Sequence, residues 1–168
     1  MKYLVFSDLH GSASGLGHLK NAIAMEKPDI LLCLGDILHG AMDTNTSSCV
    51  SFFLDLDIPI LGVRGNCDMF GEEMALHMDL PDRRTLYFNN HRMLLCHAPF
   101  YDDFKPGDIV MNGHTHIKTL YKSGGVYYLN PGSIGRPRDG KVSYATITEE
   151  GISVKSAETS ELLIFLSF

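Results

Sequence analysis

An α/β sandwich, two β-sheets with flanking helices, is the fold class the sequence predicts. Three observations carry it. The first 65 residues alternate continuous apolar runs with helix-spaced ones. Beyond Asp68 the chain breaks into seven short β-type segments separated by turn residues. The 168 residues, 45% of them apolar, are enough for a single domain over residues 1–168 with a sizeable core.

Tyr3 to Ser7 is an apolar run of strand length. Gly11 to Gly17 leads into Leu16, Leu19, Ile23 and Met25, whose spacing is closer to helical than alternating, and Pro28-Asp29 stops that helix. Ile30 to Leu34 is a second continuous run, as expected of a parallel strand covered on both faces. Asp43 to Ser48 offers N-cap residues for a helix through Cys49 to Leu54, and Ile58 to Val63 supplies a third buried strand. The order is β-α-β-α-β. Later β-type segments run Thr85 to Phe88, Met93 to Cys96, Ile109 to Met111, Ile117 to Tyr121, Val126 to Leu129, Val142 to Ile147 and Ile152 to Val154. Asn89-Asn90, Ser123-Gly124-Gly125, Asp139-Gly140 and Glu150-Gly151 separate many of them, which favours hairpins and a second, antiparallel or mixed sheet. The apolar end, Leu162 to Phe168, is open between a docked strand or helix and a contact surface in a homo-oligomer.

Composition narrows the function. Lys and Arg number 14 against 20 Asp and Glu, a net charge of -6, so no basic face for nucleic acid is expected. No apolar run approaches the roughly 18 to 20 residues of a membrane helix, and the start lacks a signal-peptide core and cleavage site. A cytoplasmic protein without a membrane partner is expected. Cys33, Cys49, Cys67 and Cys96 form no C-x-x-C pair, so reduced thiols are the default, with Cys33, Cys49 and Cys96 in apolar runs as packing residues.

The polar residues between these elements form a pattern. Asp8 and His10 follow the first strand, Asp36 the second and Asn66 the third. Asp36 comes 28 residues after Asp8, and Asn66 comes 30 after Asp36. Each interval is one β-α crossover, and strands related that way deliver their carboxyl ends to one edge. His97, His114 and His116 cluster later in the chain. Two carboxylates, one amide oxygen and up to four imidazoles match Mn, Fe, Ni or Zn better than Ca. Asp8 and Asp36 offset only half the charge of two divalent ions, which leaves room for a hydroxide and a phosphodiester anion. Singly, Asp36 reads as a loop carboxylate, His97 as a core histidine and Gly113 to His116 as a polar turn. Only the ordered set points to metal.

D-x-H (Asp8, His10), G-D (Gly35, Asp36), G-N-x-D (Gly65, Asn66, Asp68), His97 and G-H-T-H (Gly113 to His116) together resemble the calcineurin-like metallophosphoesterases. Short length and Asn130-Pro131-Gly132-Ser133 before Arg136-Pro137-Arg138 are similar to the YfcE-type small prokaryotic phosphodiesterases. The resemblance implies a four-layer α/β/β/α sandwich of two mixed β-sheets flanked by helices. It also implies two divalent metal ions, Mn first, with Ni, Co, Fe or Zn behind it. Asp8, His10, Asp36 and His116 would hold one ion; Asp36, Asn66, His97 and His114 would hold the other. In the family the oxygen between the metals attacks phosphorus, which places Asp36, Asn66, Cys67 and Asp68 in the catalytic set.

One position departs from the common family form G-N-H-[DE]: this chain reads Gly65-Asn66-Cys67-Asp68. A thiol is a weak hydrogen-bond donor and a poor substitute for imidazolium at a leaving group. The YfcE-type group is similar in carrying Cys there, which implies hydrolysis of a small or exposed phosphodiester with little monoesterase activity. His39 and Arg136 are candidate substrate contacts, and Asn130 to Ser133 reads as a turn shaping the wall of the site. Two alternatives stand beside this reading. One is a phosphomonoesterase or protein phosphatase of the same fold, which Cys67 disfavours. The other is a non-catalytic scaffold resembling a retromer subunit, which the complete ligand set disfavours.

Overall fold

The computed structural model describes residues 1–38, 46–69 and 71–168. The β-α-β-α-β opening is present as β1 (Tyr3–Phe6), α1 (Ala13–Glu26), β2 (Ile30–Cys33), α2 (Thr46–Leu54) and β3 (Ile60–Gly62). Ser12 caps α1 by accepting the Gly15 N–H at 3.1 Å, and Lys27 ends it in the left-handed conformation just before Pro28. A short helix the sequence reading did not place, α3 (Glu72–Leu76), follows; five residues are too few to show a helical period. Then come β4 (Arg83–Phe88), β5 (His91–Cys96), β6 (Ile109–Met111), β7 (Thr119–Ser123), β8 (Val126–Asn130), β9 (Ser143–Thr148), β10 (Gly151–Ser156) and β11 (Leu162–Ser167).

Two mixed sheets pack face to face. The first runs β11-β10-β9-β1-β2-β3 and the second β4-β5-β6-β8-β7. Strands β9 to β11 therefore join the amino-terminal sheet: β9 lies antiparallel to β1, with Tyr3 opposite Ile147. Alternation along β1 explains its fully apolar sequence. Leu4 and Phe6 pack with the helices, while Tyr3 and Val5 enter the core between the sheets. Leu31 and Cys33 against Leu32 and Leu34 divide β2 the same way. The buried face of α1, carrying Leu16, Leu19 and Ala22, covers the first sheet.

On the outer face of the second sheet, Phe100 and Phe104 from the β5–β6 connection pack against Leu94, Val110, Val126 and Tyr128. Among the described residues no helix lies in that connection. The apolar end is a docked edge strand: Ile164 and Leu166 face the inter-sheet core, and Leu162 and Phe165 are exposed. No helix of the described residues is long and apolar enough to cross a membrane.

Candidate metal centre

Parallel pairing sets the site. Strands β1, β2 and β3 are mutually parallel, as are β5, β6 and β8, so the loops after them emerge at carboxyl ends. Those loops are stitched together through backbone. Asp8 N–H donates to Gly35 O at 3.1 Å, His10 N–H to Asp36 O at 2.9 Å, and Gly113 N–H to His97 O at 3.0 Å. Glycine permits the approach at two points: a Cβ on Gly65 would overlap the Asp36 carboxylate, and one on Gly113 would overlap Ser7.

Two side-chain clusters result, and Asp36 belongs to both. In the first, Asp8 Oδ1 lies 3.3 Å from His116 Nε2 and 3.9 Å from His10 Nε2, and the two Nε2 atoms are 3.3 Å apart. In the second, Asn66 Oδ1 lies 3.0 Å from His97 Nε2 and 2.7 Å from His114 Nδ1. Asp36 Oδ2 sits 3.6 Å from His10 Nε2 and 3.4 Å from His97 Nε2. All seven expected ligands thus converge. Asp8, His10, Asp36, His97 and His116 are buried; Asn66 and His114 are on the open side.

The outer ring nitrogens are occupied in two cases. His97 Nδ1 donates to Leu34 O at 2.7 Å and His116 Nδ1 to Arg136 O at 2.6 Å, which fixes both rings with Nε2 turned inward. An Nε2 lone pair beside the Asp8 carboxylate is repulsive unless a cation or proton lies between them. Asp8 Oδ1 is buried and has no hydrogen-bond partner among the described residues. Three overlapping donor groups, Asp8/His10/His116, Asp8/Asp36/His97 and His10/Asp36/Cys67, each hold their ligand atoms within 4.8 Å. An orphaned carboxylate oxygen among imidazoles fits a divalent first-row ion.

Electrostatics agree with the geometry. Burial pushes the Asp8 carboxyl up. Burial alone would raise Asp36 as well, but hydrogen bonds from His97 and the Cys67 N–H outweigh it and take the group down to about 2. Burial would lower His97, yet Asp36 holds it raised. At Cys67, burial and the Asp36 carboxylate push the thiol up to about 11, so it stays protonated at neutral pH.

Backbone conformation marks the same residues. Asp8, His10, Asp36, His114 and His116 have φ of 55, 51, 54, 65 and 60°. Asp and His tolerate the left-handed region better than most residues, but each instance still costs about 1 kcal/mol or more. Such outliers gather where geometry serves function.

A hollow of about 290 Å³ opens over the clusters, lined by His10, Asp36, Asn66, Cys67, His114, His116, Arg136 and Arg138. Arg136 is therefore beside the ligands, and His39 lies outside the described residues. Asp68 is placed differently. Its carboxylate is buried and accepts three backbone N–H groups, from Asp36 (2.9 Å), Ile37 (2.8 Å) and Gly65 (2.7 Å). It holds loops rather than facing the hollow. Asn130 and Ser133 do the same for other loops. Asn130 Nδ2 donates to Gly113 O at 2.7 Å, and Ser133 Oγ donates to Asp8 O at 2.7 Å. The sequence predicts a turn shaping the wall of the site here, and the structure adds these two ties to the Gly113 and Asp8 backbone. Its position at the carboxyl end of β8, parallel to β6, is the signal that marks it as part of the site.

Comparison with known proteins gives one picture. Residues 1–151 match the family model described as the calcineurin-like phosphoesterase superfamily domain. Phosphodiesterase YfcE of Escherichia coli K12 is 27% identical, with 92% of this chain and 91% of the relative aligned. The probable metallophosphoesterase YsnB of Bacillus subtilis is also 27% identical, over 89% of this chain and 85% of its own. The solved structure of the E. coli phosphoesterase YfcE superposes with a TM-score of 0.90 at 24% identity, covering 99% of both chains. Vps29 of Entamoeba histolytica, solved with zinc, shares the fold at a TM-score of 0.68 and 18% identity, with 99% of each chain covered.

Proposed function

The chain belongs to the calcineurin-like phosphoesterase superfamily, and we propose that residues 1–168 act as one catalytic domain that hydrolyses a phosphodiester with two bound metal ions. The observation that carries this reading is Asp36. One carboxylate oxygen lies within 3.6 Å of an imidazole in each cluster, the position a bridging ligand needs. Asp8, His10, Asp36 and His116 would hold one ion, and Asp36, Asn66, His97 and His114 the other. When bound, such ions supply an ionised water and positive charge opposite the phosphoryl oxygens. Mn leads the candidates on the family resemblance, with Ni, Co, Fe or Zn behind it; the mixed set of imidazole, carboxylate and amide oxygen suits these ions better than Ca.

The chain's own residues do the rest. Asp68 positions Asp36 and Asn66 by clamping the backbone on either side. Leu34 and Arg136 carbonyls hold the His97 and His116 tautomers. Arg136 and Arg138 bring guanidinium groups to the hollow, suited to the nonbridging oxygens of a phosphate. Cys67, a protonated thiol on the wall of that hollow, is a weak donor to the departing oxygen. Little stabilisation is then available for a poor leaving group, which favours diesters over the monoesters of the phosphatase alternative. A cytoplasmic place is supported by the free thiols of Cys33, Cys67 and Cys96.

The test is turnover of metal-stripped protein resupplied with Mn, Ni, Co, Fe, Zn or Mg on paired aryl phosphate monoesters and diesters. Metal-dependent hydrolysis that favours the diester supports the proposal. Preference for the monoester would favour the phosphatase reading, and no turnover with any metal would favour a scaffold.

A further inference from the structure

A second hollow, about 350 Å³, adjoins the metal centre on its other side. Asn66 lines both hollows, and His97 forms part of the second one's floor. Beyond them its rim is made by Arg64, Asp82, Arg83, Ala98, Pro99 and Phe100. Its size is at the low end of small-molecule sites, roughly 300 to 1,000 Å³, and suits a single ring system with a sugar rather than a polymer.

Charge shows what the hollow does not select. Arg64 is 2.7 Å from Glu73, and Asp82 shares the rim, so Arg64 is already balanced by carboxylates. A second phosphate would find, among the described residues, a single unpaired cation there, Arg83, with the Asp82 carboxylate on the same rim. Arg83 is the distinctive group. Its guanidinium carbon lies 4.3 Å from the Phe100 ring centroid, and among the described residues it has no carboxylate within 4.0 Å. A planar cation backed by an aromatic ring has one face taken and one face open. That open face is a stacking platform for a second flat ring. Asp82 on the same rim is an acceptor for a ring amine, and Ala98 and Pro99 add an apolar wall.

We propose that this hollow is a subsite for a planar heteroaromatic group, of nucleobase type, carried on one ester arm of the diester and stacked on Arg83. The inference rests on the phosphodiesterase reading for the position of the phosphorus, beside Asn66 where the two hollows meet. The substrate is then an asymmetric diester: one arm is flat and aromatic, and the phosphate is gripped from the Arg136 and Arg138 side.

Binding tests it without turnover. The chain has no tryptophan, so 2-aminopurine riboside 5′-monophosphate, which keeps an exocyclic amine, can be followed by its own fluorescence polarisation. Ribose 5-phosphate is the baseless competitor, and each is titrated with and without Mn. The wild-type protein is expected to bind the base-bearing probe about tenfold or more tighter than ribose 5-phosphate. Arg83→Gln and Phe100→Ala should each erase most of that ratio, whereas Arg83→Lys, which keeps the charge and loses the plane, should recover little of it. Equal wild-type binding of the two probes overturns the proposal outright, whatever the variants do. An unchanged ratio in a folded Arg83→Gln protein overturns it too. Absence of diester hydrolysis with every metal would instead sink the phosphodiesterase reading, and the titration still reports on the subsite.

Discussion

Asp68 holds Asp36 from beneath: its Oδ2 accepts the Asp36 backbone N–H at 2.9 Å, while Asp36 turns its own carboxylate toward His10 and His97 of the candidate metal centre. The same Oδ2 takes the Gly65 N–H, and Oδ1 takes the Ile37 N–H. A carboxylate has acceptors on both oxygens; an amide has one acceptor and one NH₂. Asp68→Asn therefore sets an NH₂ against at least one backbone N–H, a loss of about 1 to 3 kcal/mol. Because the strain falls on ligand loops, Mn affinity is expected to drop about ten- to a hundredfold, as for lost supports of metal ligands. Titration of Mn into the folded variant checks this, and unchanged affinity would contradict it.

Much of that arrangement is legible in the chain before any coordinates. β1, β2 and β3 are short, apolar on both faces and one crossover apart, so Asp8, His10, Asp36 and Asn66 had to share an edge. Asp36 and Asp68 each follow a loop glycine within three residues; the motif order put Asp36 alone among the expected ligands, but the clamping of backbone by Asp68 is visible only in the fold. Sheet membership was not legible either. β9 to β11 carry hairpin signals that say which strands are neighbours but not which sheet they extend, and the choice is made by burial of Tyr144 and Ile147 on opposite faces. The left-handed backbone at five of the expected ligand positions left no mark at all, because Asp and His adopt it where glycine would usually be read.

In the proposed function Cys67 would set the leaving-group range. Its thiol, pushed up to about 11 by burial and the Asp36 carboxylate, holds its proton but donates weakly. Across diesters whose leaving groups become steadily more basic, wild-type rates should fall steeply. Cys67→His should flatten that slope and raise the relative rate on the poorest leaving group about a hundredfold, the low end for a general acid. Equal slopes for the two proteins would contradict the assignment.

Glu26 gives a stability test far from the chemistry. Burial pushes this carboxyl up, but Lys155 (2.7 Å), Tyr144 (2.9 Å) and Lys2 (3.2 Å) outweigh it and hold it below the ordinary range. The unfolded chain then binds the proton more readily, so this contribution is present above the unfolded pKa, about 4.3, and is lost as pH falls through the lower folded value. Glu26→Gln should cost about 1 to 3 kcal/mol at pH 7, and the gap from wild type should narrow on acidification below about pH 4. Denaturant midpoints at pH 7 and pH 3 decide it; a gap that widens in acid would contradict the sign.

In the proposed centre one aspartate, Asp36, joins two ion sites, and equilibrium dialysis of Mn against metal-stripped protein measures this directly. The wild-type chain is expected to take up about two ions, and Asp36→Asn, a near-isosteric change, should fall to fewer than one. Wild-type uptake of one ion or none, or an Asp36→Asn protein that still holds both, would contradict the account.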